Sequence, residues 1–242
     1  MTTGKIQNRE SFLTNLSEKL GVPRRPVSEH PFVPINQLPQ EQLADKSKEE
    51  LLEIVKARVP KIHTQLFETT AKDLADTLLS LIKASGGGKL LLPTDDRFAA
   101  CGLTEFIETE LASEDTTITY WKPGNEYRDE NIQAAEQANV SIAFAEFLLA
   151  ESGTIVVETS AGQGRSLHFL PKHYISIIPM SKLVPRSTQA AAFYSEKIER
   201  GEKVGSAIHF ISGPSNSGDI EMQLVVGLHG PVKVYYVVVT DL

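Results

Sequence analysis

The sequence predicts a three-layer α/β fold, a mostly parallel sheet with helices on both faces, preceded by an N-terminal arm. Three observations predict it. Strand-like runs alternate with helical segments after residue 88, the order that builds parallel strands joined by crossovers. Several runs are short and continuously apolar, as strands covered on both faces must be. The first 46 residues instead pair one helical pattern with a run of prolines.

The arm begins with Ile6, Leu13, Leu16 and Leu20 at helical spacing, and Gly21 can end that helix. Pro23, Pro26, Pro31, Pro34 and Pro39 then argue for an extended tether. Residues 1–46 are therefore read as an arm and 47–242 as the domain. Ser47 and Glu50 form a capping-box pattern. The helix after them shows Leu51, Leu52, Val55 and Val59 on one side and stops at Pro60. Thr70 and Asp73 start a second helix bearing Leu74, Leu78, Leu81 and Ile82, which Gly86, Gly87 and Gly88 stop. Strands are expected at 89–92, 117–121, 140–144, 153–158, 173–178, 206–211 and 233–239, and helices near 96–112, 126–138, 187–200 and 218–226. The strand-like terminus KVYYVVVTDL is a candidate sheet edge, where a second copy of the chain could pair.

A chain of 242 residues with 41% apolar residues buries enough core to need no staple. Its net charge of −7 argues against a general nucleic-acid or anionic-membrane surface, since phosphates need a basic face. The single cysteine, Cys101, excludes an intrachain disulfide and a four-cysteine iron–sulfur cluster within one chain. In its apolar helical setting Cys101 reads as a small buried residue. The opening MTTGKIQNRESF lacks the apolar core of a signal peptide, and no run reaches membrane-spanning length, so the expected compartment is the cytoplasm.

Open α/β sheets bind ligands beyond the carboxyl ends of their strands, so the turns after buried strands come first. Two stand out. One runs through Glu151, Ser152, Gly153 and Thr154, then a strand, then Gly162, Gln163, Gly164 and Arg165. Leu167 stands where a dinucleotide fingerprint needs a third glycine, and Pro171 follows closely, so the match is poor. What remains is a flexible loop whose Arg165 suits a carboxylate or phosphate, or a plain glycine turn with a solvated arginine. The other turn holds Ser212, Gly213, Ser215, Asn216 and Asp219. It reads equally as a helix cap, with Ser217 or Asp219 as N-cap, and as a ligand loop.

His229 sits in a turn before the last strand and is a weak catalytic candidate. His168 and His173, five apart across Pro171, do not match a zinc-ligand spacing, so no metal is expected. Neither a P-loop nor a Gly-x-Ser-x-Gly elbow occurs.

Taken together, residues 150–165 (AESGTIVVETSAGQGR), 170–179 (LPKHYISIIP), 211–221 (ISGPSNSGDIE) and 227–239 (GLHGPVKVYYVVV) resemble the hallmark blocks of the LUD domain. The length and short arm are most similar to the lactate utilization protein C family. That resemblance implies a NagB/RpiA/CoA-transferase-like fold. It also implies membership of a system oxidising L-lactate to pyruvate with two partner proteins of the iron–sulfur type. This chain would then be a non-redox subunit with no cofactor of its own. Arg165 and the 212–217 loop would hold a small carboxylate.

Glu151-Ser152-Gly153 also resembles the Glu-Asn-Gly segment around the nucleophilic glutamate of class I CoA transferases, with a different middle residue. A stand-alone enzyme of the CoA-transferase or isomerase type is thus one alternative. A metabolite-binding regulatory protein is another.

Overall fold

The computed structural model describes residues 7–25, 33–111, 116–220 and 223–242, without the side chains of Asp219 and Ile220. It divides into two compact units, residues 1–37 and 38–242. In the first, helix α1 (Arg9–Leu20) ends at Gly21, whose φ of 63° is the left-handed geometry that favours glycine. The expected proline-rich tether lies partly outside the described residues.

The second unit opens with the short helix α2 (Leu38–Glu41) and with α3 (Lys48–Arg58). The capping box at α3 is present: Glu50 N–H donates to Ser47 Oγ, and Ser47 N–H to Glu50 Oε2 at 2.9 Å. Strand β1 (Thr64–Thr69), helix α4 (Leu74–Ala84), β2 (Gly88–Leu92), α5 (Arg97–Ala100), a π-helical turn (Phe106–Leu111), β3 (Thr116–Tyr120), α6 (Arg128–Gln137) and β4 (Val140–Phe144) follow. Then come β5 (Phe147–Leu149), β6 (Thr154–Glu158), α7 (Ser166–Phe169), β7 (His173–Pro179), β8 (Leu183–Val184) and α8 (Ser187–Glu199). The chain closes with β9 (Ile208–Ile211), β10 (Asn216–Ile220), β11 (Gln223–Val226) and β12 (Lys233–Val239).

Six strands form one parallel sheet in the order β1-β12-β7-β4-β2-β3. Period-two alternation divides its side chains between two cores. Leu91, Ala143, Tyr174, Val234, Tyr236 and Val238 face α3, α6 and a second sheet. Leu90, Leu92, Ile142, Ile175, Ile177, Tyr235 and Val237 face α4, α5 and the π-helical turn. Burial on both sides explains the continuous apolar runs of β4, β7 and β12. Each such Val, Leu or Ile stabilises the fold by roughly 1.5–3 kcal/mol.

Several expectations need correction. The segment 218–226 is a hairpin of β10 and β11, not a helix. Ile220, Met222, Leu224 and Val226 fall at every second position, and Gly218 weakens a helix. The expected 96–112 helix breaks at Gly102, whose φ of +69° is left-handed. The terminal strand β12 lies inside the sheet, between β1 and β7, so the edges are β1 and β3. Strands β6 and β9 are antiparallel partners in the second sheet, of order β8-β5-β6-β9. Cys101 is only partly buried, at the end of α5, where burial pushes its thiol pKa up.

Candidate functional site

The sheet has two edges where loops converge. From β2 the chain steps to β3 on one side and returns as β4 on the other, so the switch point lies between β2 and β4. Beyond their carboxyl ends opens a cleft of about 820 Å³, walled by Thr94–Arg97, Glu146, Glu158–Gln163, Lys197 and Lys203–Gly205.

Two of its cations, Arg97 and Lys197, are already paired. Arg97 grips Asp95 with Nε and Nη2 (2.7–3.0 Å) and reaches Glu146 Oε1 with Nη1 at 2.8 Å. Burial opposes the Arg97 charge, but the two carboxylates outweigh it and hold its pKa above the usual value. Lys197 pairs with Glu158 at 3.1 Å, and the Gly205 N–H donates to Glu158 Oε1 at 2.6 Å. The Tyr194 hydroxyl is buried beside them. Burial first, then the Glu158 and Glu146 charges, hold its pKa well above the usual phenol range.

The glycines of the 160–165 segment serve packing. Thr94 N–H donates to the Gly162 carbonyl at 2.9 Å, and a Cβ on Gly162 would lie 2.0 Å from the Thr94 oxygen. A Cβ on Gly164 would lie 2.2 Å from the Trp121 ring. The expected flexible anion loop is therefore pinned in place. Arg165 is exposed, lines neither recess and makes no ion pair among the described residues.

The second recess lies at the opposite edge, by the amino ends of β7 and β12. It is a pocket of about 320 Å³ lined by Ser212, Gly213, Ser215, Asn216 and His229, together with His168, Tyr174, Phe169 and Phe210. Its described lining holds no carboxylate. His168 is 1% exposed; its Nδ1 lies 3.0 Å from the Tyr174 hydroxyl, and its Nε2 has no partner among the described residues. Burial, then the neighbouring His209, push the His168 pKa down to about 3, so the ring is neutral. An unpaired buried polar atom of this kind costs about 1–3 kcal/mol. Burial, then Arg165, also lower the His209 pKa. The Phe169 ring packs edge-on against both imidazoles, at 6.5 and 5.3 Å.

The loop that forms this pocket is held by backbone. Ser215 N–H donates to Pro231 O at 3.0 Å, and Gly227 N–H to Ser215 O at 2.7 Å. Gly213 has a φ of +74°, and a Cβ there would lie 2.0 Å from the Ile62 carbonyl oxygen.

The remaining sequence-flagged residues divide. Ser152, Gly153 and Thr154 belong to the β5–β6 turn, a hairpin and not a parallel-strand end. A hydroxyl chain joins them to the pocket loop: Ser152 Oγ donates to Thr154 Oγ1 at 2.7 Å, which lies 2.7 Å from Ser212 Oγ. Glu151 lines neither recess and pairs with Arg186 at 2.7 Å. Asp219 lies in β10, which removes its N-cap reading, and its side chain is outside the described residues. Arg97 and Glu146 were missed, although they follow buried strands as the carboxyl-end rule asks, and His168 was weighed only as a metal ligand.

The LUD domain matches residues 52–239. Lactate utilization protein C of Geobacillus kaustophilus (strain HTA426) is 48% identical over the full length of both chains. The protein of that name from Bacillus subtilis (strain 168) is 43% identical, again over the full length of both. A crystal structure of a DUF162 family protein from Deinococcus radiodurans superimposes with a TM-score of 0.55 at 16% identity, covering 80% of this chain and 99% of that one, and supports the fold alone. No helix among the described residues is long and apolar enough to cross a membrane. The chain belongs to the LUD domain family, within the group of lactate utilization protein C.

Proposed function

We propose that this chain serves lactate utilization as a subunit that binds a small carboxylate, while iron–sulfur partner proteins carry the electrons. The observation that carries the reading is relatedness at 43–48% over full length to proteins named lactate utilization protein C. The single cysteine supports the division of labour, because a four-cysteine cluster needs ligands this chain does not have. In this reading the small carboxylate enters the pocket of Ser212, Gly213, Ser215 and Asn216, which has no carboxylate among its described residues, with the exposed His229 in its lining. Ser152, Gly153 and Thr154 brace that loop. Arg165 contributes a field and no direct contact. The arm, residues 1–46, serves as a tether to the cytoplasmic partner proteins, and residues 47–242 form the binding domain.

The test is lactate-dependent dye reduction by the purified chain, alone and mixed with the two partner proteins of a related system. Growth on lactate of a strain lacking its own relative, restored by this chain, is the companion measurement. Reduction is expected only in the mixture, with growth restored. Turnover by the chain alone would overturn the reading.

A further inference from the structure

His168 is the most buried histidine bordering either recess, and its second nitrogen has no partner among the described residues. The Tyr174 hydroxyl, itself fully buried and kept protonated, has one proton to give. When it donates to His168 Nδ1, the neutral imidazole must carry its own proton on Nε2. That leaves a fixed, uncharged N–H donor at the wall of the pocket. The His168 ring is held in place: Tyr174 stands edge-on to it at 5.4 Å and Phe169 at 6.5 Å. The same pocket offers the Ser215 hydroxyl and the Asn216 amide, one of whose protons goes to Pro214 O at 3.0 Å, and among the described residues no lining carboxylate repels an anion. The four-residue α7 adds no anion site of its own.

We infer that the pocket at the amino edge of the sheet takes a small 2-oxo or 2-hydroxy monocarboxylate, whose 2-oxygen accepts the Nε2–H of His168. The inference rests on the carboxylate-binding role proposed above and names the group that reads the ligand. The carboxylate lies toward Ser215 and Asn216, at the open end, where water and the loop share its charge. The 2-oxygen points inward and satisfies the His168 Nε2–H, which has no partner among the described residues. A pocket of about 320 Å³ admits such an acid and excludes a dinucleotide. Tyr174 is a positioning residue here: it touches the imidazole and sets which nitrogen carries the proton.

Calorimetry on the full chain tests the inference with pyruvate, L-lactate and acetate, alongside nitrogen-15 NMR of the histidine rings. Pyruvate or lactate should bind, and acetate, which lacks the 2-oxygen, should bind about tenfold more weakly, the worth of one good hydrogen bond. The His168 Nε2 signal should move on addition of pyruvate. His168→Asn keeps a group near the Nδ1 position and removes Nε2. It should cost about tenfold for pyruvate while leaving acetate unchanged. If that variant does not fold, the NMR signal of the unmodified chain and the loss of affinity in Ser215→Ala decide. Acetate binding as tightly as pyruvate, or an unmoved Nε2 signal at saturation, overturns the inference. Restored growth without pocket binding would sink this inference and leave the subunit role standing; binding without restored growth would do the reverse.

Discussion

The two edges of the parallel sheet solve opposite electrostatic problems. At the carboxyl edge, Asp95, Asp96, Glu146 and Glu158 face Arg97, Lys197 and Lys203. Arg97 and Lys197 are already taken by carboxylates of the same chain. An anion seeking Arg97 would have to displace Asp95 or Glu146 and leave a part-buried carboxylate uncompensated, and the remaining lining cation, Lys203, is exposed. At the amino edge there is no lining carboxylate among the described residues, and His168 is neutral. The rule that open α/β sheets bind ligands at the carboxyl ends locates a cleft correctly here. It does not say which ligand, and the charge inventory favours the other edge for a small acid.

The comparison breaks most readily at its two tight glycines. Gly213→Ala places a Cβ against the Ile62 carbonyl and also strains a left-handed residue, so it should cost about 2–4 kcal/mol and loosen the amino-edge pocket. Gly162→Ala meets an equally close oxygen at the carboxyl edge but without a positive φ, and should cost less. Urea unfolding of both variants checks the order. Equal stability of Gly213→Ala and the unmodified chain would mean that the 212–216 loop does not sit against Ile62.

Acid separates the edges next. Above pH 6.5 His168 is neutral folded or unfolded and contributes no slope. Below it, the unfolded chain takes a proton that the folded ring, with a pKa of about 3, refuses. Stability should therefore fall by roughly 1.4 kcal/mol per pH unit, about 2 kcal/mol by pH 5. Burial-lowered His209 and His173 act in the same direction. Chemical denaturation between pH 7 and 5 should show a shallower slope in His168→Asn. An unchanged slope would place the acid sensitivity elsewhere.

Arg97→Met probes the carboxyl edge. It strands Asp95 and Glu146 facing each other. The arginine side chain is a third exposed, so water discounts the penalty to about 1–2 kcal/mol. Adding Glu146→Gln should return part of that loss. Pyruvate affinity should not change in either variant, and a large drop would move the carboxylate site to the carboxyl edge.

How much of this was legible follows from chain distance. Strands β4 and β12 match their expected bounds, and β7 runs one residue longer, because each is a continuous apolar run that burial on two faces demands. The α3 start was legible because Ser47 and Glu50 cap within four residues. Strands β5 and β8 are three and two residues long, too short to show a period. The β10–β11 hairpin was misread because Asp219 and Glu221 imitate a helix first turn, while the alternation of Ile220, Leu224 and Val226 is a weaker signal. The 212–216 loop drew notice through its dense small polar residues. His168 drew notice only as half of a failed zinc spacing with His173, because its place at the pocket is tertiary: only folding buries it against Tyr174 and brings the 212–216 loop to the same pocket. The Arg97–Glu146 pair spans 49 residues and leaves no local pattern.

The smallest effect tests whether a third place matters at all. Glu151 lies in the β5–β6 turn, outside both recesses, and its carboxylate is held by Arg186. Its side chain is 42% exposed, so the ion pair is worth less than about 1 kcal/mol. A nucleophilic glutamate must present a free carboxylate to its substrate, whereas this one is turned onto a guanidinium. Glu151→Gln should therefore keep both growth on lactate and pyruvate affinity, with a stability change near the limit of measurement. Loss of growth at unchanged stability would instead put Glu151 in the chemistry. It would also revive the transferase-like alternative, because neither recess would then explain the activity.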